Sequence, residues 1–116
     1  VNTTQNPEWD LRFPAADARL FATAVTSALA VTRQFDEVVP VVLVSDDGER
    51  TATKANVRLV FDFLAGKPVD SALQSAIPNA AKLREATPDD LVFVSFSCHG
   101  YKADGGDFYL VQNFAD

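Results

Sequence analysis

The 116-residue chain has no methionine, one cysteine, one histidine and one tryptophan, and each scarcity closes a route. A single cysteine makes neither an internal disulfide nor a cysteine-rich zinc site, which excludes a stapled secreted module and a zinc module. With one histidine, few other metal sites remain. Basic residues are the minority, ten Lys and Arg against sixteen Asp and Glu, for a formal charge of −6. Nucleic-acid backbones are held mainly by Lys and Arg that displace counterions, so no nucleic-acid partner is expected. No apolar run reaches the ~18 residues that span a bilayer, and the segment from Val1 to Glu8 has neither the basic nor the apolar part of a secretory signal. No membrane partner is expected, and the expected location is cytoplasmic.

What is present is the composition of a folded chain, 47% hydrophobic and 22% charged, on the scale of one domain or part of one. Residues 1–14 are polar and carry two prolines, with Trp9, Leu11 and Phe13 as apolar exceptions, and read as an ordered loop. Pro14 and Asp17 open a helix over about 15–33, since proline is tolerated in a first turn and an acid there meets the positive end of the helix dipole. Ala18, Phe21, Val25, Ala28 and Leu29 fall on one face of it. Thr51 or Thr53 caps a second helix that runs through Ala65 and is closed by Gly66 and Pro68, with Val57, Val60, Phe61 and Leu64 as its apolar arc. A third helical region spans about 70–86, interrupted at Pro78.

Three short runs read as strands. Val38-Val39-Pro40-Val41-Val42-Leu43-Val44 and Leu91-Val92-Phe93-Val94-Ser95-Phe96-Ser97 do not alternate, as expected of strands buried on both faces. Phe108-Tyr109-Leu110-Val111 follows a loop over 101–107. Strands separated by helical segments predict crossover connections, a mainly parallel sheet and helices on both faces, a three-layer α-β-α sandwich. Sites in such sheets lie at the carboxyl ends of the strands, where the second run stops at Cys98-His99-Gly100. His99 suits proton transfer at neutral pH, and Gly100 lets a substrate approach the backbone or aims an N–H at a developing oxyanion. A histidine that only caps a strand is the plainer alternative.

Four segments in order resemble the caspase-like cysteine peptidases, in particular the bacterial metacaspase group. They are Asp17-Ala18-Arg19, Ala52-Thr53-Lys54-Ala55-Asn56-Val57, Thr87-Pro88-Asp89-Asp90-Leu91-Val92-Phe93, and Ser97-Cys98-His99-Gly100 followed by Gly106-Asp107-Phe108-Tyr109-Leu110-Val111. The resemblance runs from about Asn6 to Val111. It implies a cysteine endopeptidase, a hydrolase of peptide bonds, with His99 as general base toward a cysteine and Gly100 as an oxyanion-hole donor. Asp17 matches an acidic position at the helix start that is mostly structural in the family, the lesser reading being that it binds substrate by holding a basic side chain in the substrate pocket. Arg12 lies near a substrate-binding arginine of the animal caspases, but the spacing differs by one residue and that role is not carried over.

Two departures qualify the resemblance. Cys98 stands where the family has glycine, and the family's nucleophile lies on a later strand, beyond Asp116; residues adjacent on a strand point to opposite faces, so Cys98 reads as packing. The family also has a central first strand ahead of the loop resembling Asn2–Phe13. Residues 1–116 are therefore expected to form the His-bearing part of such a domain, without the first strand and the nucleophile strand. The expected partners are a protein or peptide substrate and either the remaining part of the domain as a second polypeptide or another copy. An inactive caspase-like module used for protein binding or assembly in signalling is the rival reading.

Other motifs are weaker. Asp46-Asp47 after an apolar run resembles the acidic pair of a phosphorelay receiver, but Ser95 stands at the acceptor position and a turn is the plainer reading. Asp104 and Asp107 offer two carboxylates where calcium takes six to eight oxygens, so no metal and no cofactor is expected. Tyr101 and Trp9 are candidate walls of a substrate cleft.

Overall fold

A computed structural model describes residues 12–46 and 48–111. The expectations placed on Trp9, on Asp47 and on the loop over 1–11 lie outside the described residues. Helix α1 spans Pro14–Thr32 and α2 Lys54–Leu64; a short α3 covers Ser71–Gln74 and a 3-10 turn Ala80–Lys82. Strands β1, Gly100–Lys102, and β2, Phe108–Leu110, close the described chain.

The helix ends follow from local chemistry. Pro14 occupies the first turn of α1, and the first helical bond runs from the Asp17 N–H to the Phe13 carbonyl at 2.9 Å. At the start of α2 the Thr53 hydroxyl accepts the Asn56 N–H at 3.1 Å, satisfying one of the unpaired amides of the first turn. Thr51, the other candidate cap, instead accepts the Val44 N–H through its hydroxyl at 3.0 Å. Gly66, in the left-handed region at φ 70°, ends α2. Its N–H donates to Phe63 O at 3.0 Å and the Lys67 N–H to Asp62 O at 3.0 Å, the paired bonds of a Schellman motif.

The segment from 70 to 86 is mostly not helical, correcting the expected third helix. Pro78 interrupts it, and Asn79 turns left-handed at φ 62° while its amide donates to Pro40 O at 2.7 Å. Ile77, only 3% exposed, anchors this stretch against the interior.

The strands depart further from expectation. Residues 38–44 and 91–97 carry no sheet ladder, and the two-stranded sheet is the antiparallel hairpin β1–β2, whose first strand was expected to be loop. Leu91, Phe93 and Phe96 are exposed by 59%, 61% and 49%, where a buried strand was expected. A ladder needs a neighbouring backbone at ~4.8 Å whose N–H and C=O groups face it. At the end of the first run Val44 instead gives its N–H to the Thr51 hydroxyl and its C=O to the Thr51 and Ala52 N–H groups. Ahead of the runs Arg84 meets Glu37 at 3.8 Å, and the Ala86 N–H donates to Leu64 O at 2.8 Å. Val39, Val41 and Leu43 of the first run and Leu91 to Cys98 of the second line one cleft of about 750 Å³. Val57, Val60, Phe61 and Leu64, the apolar arc of α2, face the same cleft. Phe21 of α1 reaches the second run, with its ring centroid 5.8 Å from that of Phe93.

Two of the buried apolar residues come together where the first run ends. Val44 and Ala52 meet there, the Thr51 and Ala52 N–H groups both donating to Val44 O at 2.7 and 3.0 Å. Ser45 beside them is fully buried, and its hydroxyl has no partner among the described residues. Among the described residues no helix is long and apolar enough to cross a membrane.

Candidate active site

The hairpin that presents His99 and Gly100 is set by Asp104-Gly105-Gly106. The Gly106 N–H donates to Ala103 O at 2.9 Å and the Ala103 N–H to Asp107 O at 2.8 Å, with Gly106 at φ 90°. A turn followed by a positive-φ glycine joins the strands with the right twist. The register pairs Gly100 with Leu110, Tyr101 with Tyr109 and Lys102 with Phe108.

That register fixes what the Gly100 amide does. The Val111 N–H donates to His99 O at 2.8 Å, so 99 and 111 form a hydrogen-bonded pair, as 103 and 107 do four residues on. Pairs alternate along an antiparallel ladder, which makes Gly100 and Leu110 a non-hydrogen-bonded pair. The Gly100 N–H and C=O therefore point away from β2, toward the outer edge of the hairpin. This places a backbone donor one residue after the imidazole of His99, which is half-buried and falls in phase with Tyr101 along the strand.

The ring of Phe108 packs on Gly100. A Cβ at this position would overlap Cζ of Phe108 and come within 2.9 Å of its Cε2. The Phe108 ring lies where a side chain of residue 100 would stand, yet it is 68% exposed.

Cys98 lines the cleft and is half-buried. Burial pushes its thiol pKa up from the ordinary value, so the sulfur is a neutral thiol at neutral pH and a poor nucleophile. This agrees with reading Cys98 as packing.

Asp17 lies in the first turn of α1 and is exposed. Among the described residues no hydrogen bond or ion pair joins it to His99 or Gly100. The residue of α1 that does reach across the fold is Arg19, which binds Asp46 at 2.8 Å and Glu49 at 3.2 Å. Arg12 sits over the ring of Phe13, 5.7 Å from its centroid. Asp46 makes the turn expected of it, its Oδ1 accepting the Gly48 and Glu49 N–H groups at 2.9 and 2.8 Å. Asp104 and Asp107 flank the hairpin turn, and Tyr101 is 46% exposed on β1. Sequence reasoning missed β1 and the Phe108 contact, although Asp-Gly-Gly between aromatic residues is a hairpin signal.

No family model matches the chain, and no curated protein and no solved structure is found similar to it.

Proposed function

We propose that this chain is the His-bearing part of a caspase-like cysteine endopeptidase domain, a three-layer α-β-α sandwich whose nucleophilic cysteine lies on a segment outside residues 1–116. The observation that carries the reading is the Gly100 N–H, free of the hairpin ladder and turned outward immediately after His99. A base and an oxyanion donor in sequence are two of the three parts that acyl transfer to a thiol requires.

In this scheme His99 takes the proton of the cysteine thiol, and the thiolate attacks the scissile carbonyl carbon. The carbonyl π bond opens onto oxygen, and the Gly100 N–H helps hold the oxyanion. Collapse breaks the C–N bond, with the proton passing from His99 to the leaving amine. Water, deprotonated by His99, then hydrolyses the thioester and restores the thiol. No metal or cofactor enters the chemistry, and the substrate is a protein or peptide.

One observation favours the inactive, protein-binding alternative: Cys98, which lines the cleft, stands where the resemblance implies glycine. Hydrolysis of a fluorogenic peptide library by the full-length polypeptide separates the two. The peptidase reading expects turnover that His99→Ala abolishes and Cys98→Ala leaves largely intact. Turnover retained in His99→Ala overturns the base assignment, and a folded wild-type protein without turnover favours the binding module.

A further inference from the structure

Gly100 is the most conformationally free residue type at the one position where an outward-facing donor must hold its direction. Something must restrain it. In a non-hydrogen-bonded antiparallel pair the two backbones approach to ~4.5 Å and side chains on that face lie close across the strands. Leu110 is directly opposite Gly100, and Phe108 is its diagonal neighbour on the same face. The Phe108 ring takes up the space a Gly100 side chain would fill, so the glycine backbone is braced by an aromatic contact that a side chain at 100 would displace.

We infer that Phe108 is a positioning residue, which holds the 99–100 peptide so that the Gly100 N–H stays directed at the oxyanion. The inference rests on the peptidase reading for its catalytic consequence and on the hairpin geometry alone for the contact. It explains why an aromatic ring stays 68% exposed on a short hairpin: the ring packs downward on a glycine and not into the core.

The experiment has a spectroscopic arm and a kinetic arm. In the 116-residue chain, the Gly100 Hα resonances are expected to lie upfield under the Phe108 ring, to return to ordinary values in Phe108→Ala, and to move only part of the way in Phe108→Tyr. Gly100→Ala is expected to displace the Phe108 ring from residue 100, seen as a shift of the Phe108 ring resonances, with the cross-strand contacts of the hairpin kept. In the full-length polypeptide, Phe108→Ala is expected to lower kcat about tenfold with KM unchanged, less than the roughly hundredfold or greater loss that follows outright removal of an oxyanion donor. Phe108→Tyr, which keeps the ring, should retain wild-type kcat.

An unshifted Gly100 Hα in the wild type, or Phe108 ring resonances that do not move in Gly100→Ala, overturns the contact. A kcat unaltered in Phe108→Ala, or a loss confined to KM, overturns the positioning role while leaving the peptidase reading in place. A full-length wild-type protein with no turnover overturns the peptidase reading and the catalytic role together, whatever the spectroscopic arm shows.

Discussion

The guanidinium of Arg19 donates to the carboxylate of Asp46 at 2.8 Å, tying the first turns of α1 to the turn that follows residues 38–44. Asp46 is at the same time the residue that makes that turn, through its bonds from Gly48 and Glu49. The hydrogen bond from Arg19 first, and the two backbone N–H groups second, hold the Asp46 carboxyl below the usual carboxylate range. A carboxyl whose pKa is lower in the folded than in the unfolded chain contributes stability above its unfolded value, and that contribution is lost as pH falls through the folded value. The melting temperature of the wild type should therefore fall on acidification below about pH 4 more steeply than that of Asp46→Ala. The ion pair is solvent-accessible, so concentrated salt should narrow the difference at neutral pH. Parallel pH profiles for the two proteins would show that Asp46 contributes nothing through its charge.

The cap of α2 offers a simpler measurement. Thr53→Ala removes the hydroxyl that accepts the Asn56 N–H and should cost about 1 kcal/mol in urea unfolding, seen as a lower midpoint at unchanged slope. Thr53→Ser keeps the acceptor and should recover most of the loss. An Ala variant as stable as the wild type would mean that Thr53 is not the cap that matters, contrary to its 3.1 Å bond.

Ser45 makes the opposite prediction. Its hydroxyl is wholly buried without a partner among the described residues, and an unpaired buried hydroxyl costs ~1–3 kcal/mol. Ser45→Ala removes the polar atom and little volume, so the urea midpoint should rise, by about 1 kcal/mol in stability. A fall in the midpoint would show that the hydroxyl is satisfied in solution.

The success and failure of sequence reading divide along one physical line. Pro14, Thr53 and Gly66 act within a single turn of backbone, and the ends of α1 and α2 were legible from them. Residues 38–44 and 91–97 carry the composition of strands, but a strand exists only through a neighbour, and composition does not say whether that neighbour is within reach. Here both runs line one cleft and carry no ladder. Phe108-Tyr109-Leu110 was legible as a strand, yet its partner Gly100–Lys102 was not, because a glycine followed by Tyr and Lys has little β pattern of its own. In the candidate site, His99 and Gly100 stood out by motif. The outward turn of the Gly100 N–H and the ring of Phe108 against it depend on ladder parity and cross-strand packing, which emerge only once the register is fixed. Arg19 entered the sequence reading only within Asp17-Ala18-Arg19, with no sign of its carboxylate partner, which is 27 positions away.

The thiol of Cys98 gives a test that needs no activity. Because burial raises its pKa, the fraction present as thiolate near neutral pH is smaller than in an unhindered cysteine, and alkylation proceeds through the thiolate. Iodoacetamide should label Cys98 in the native chain more slowly than it labels a cysteine-containing model peptide at the same pH, and the rate should climb to a plateau at higher pH than the peptide's. In urea the two rates should converge as the cleft is lost. A native Cys98 that reacts faster than the peptide at neutral pH would mark an activated sulfur. That result would reverse its assignment from packing to nucleophile, and with it the placement of the catalytic cysteine on a segment outside this chain.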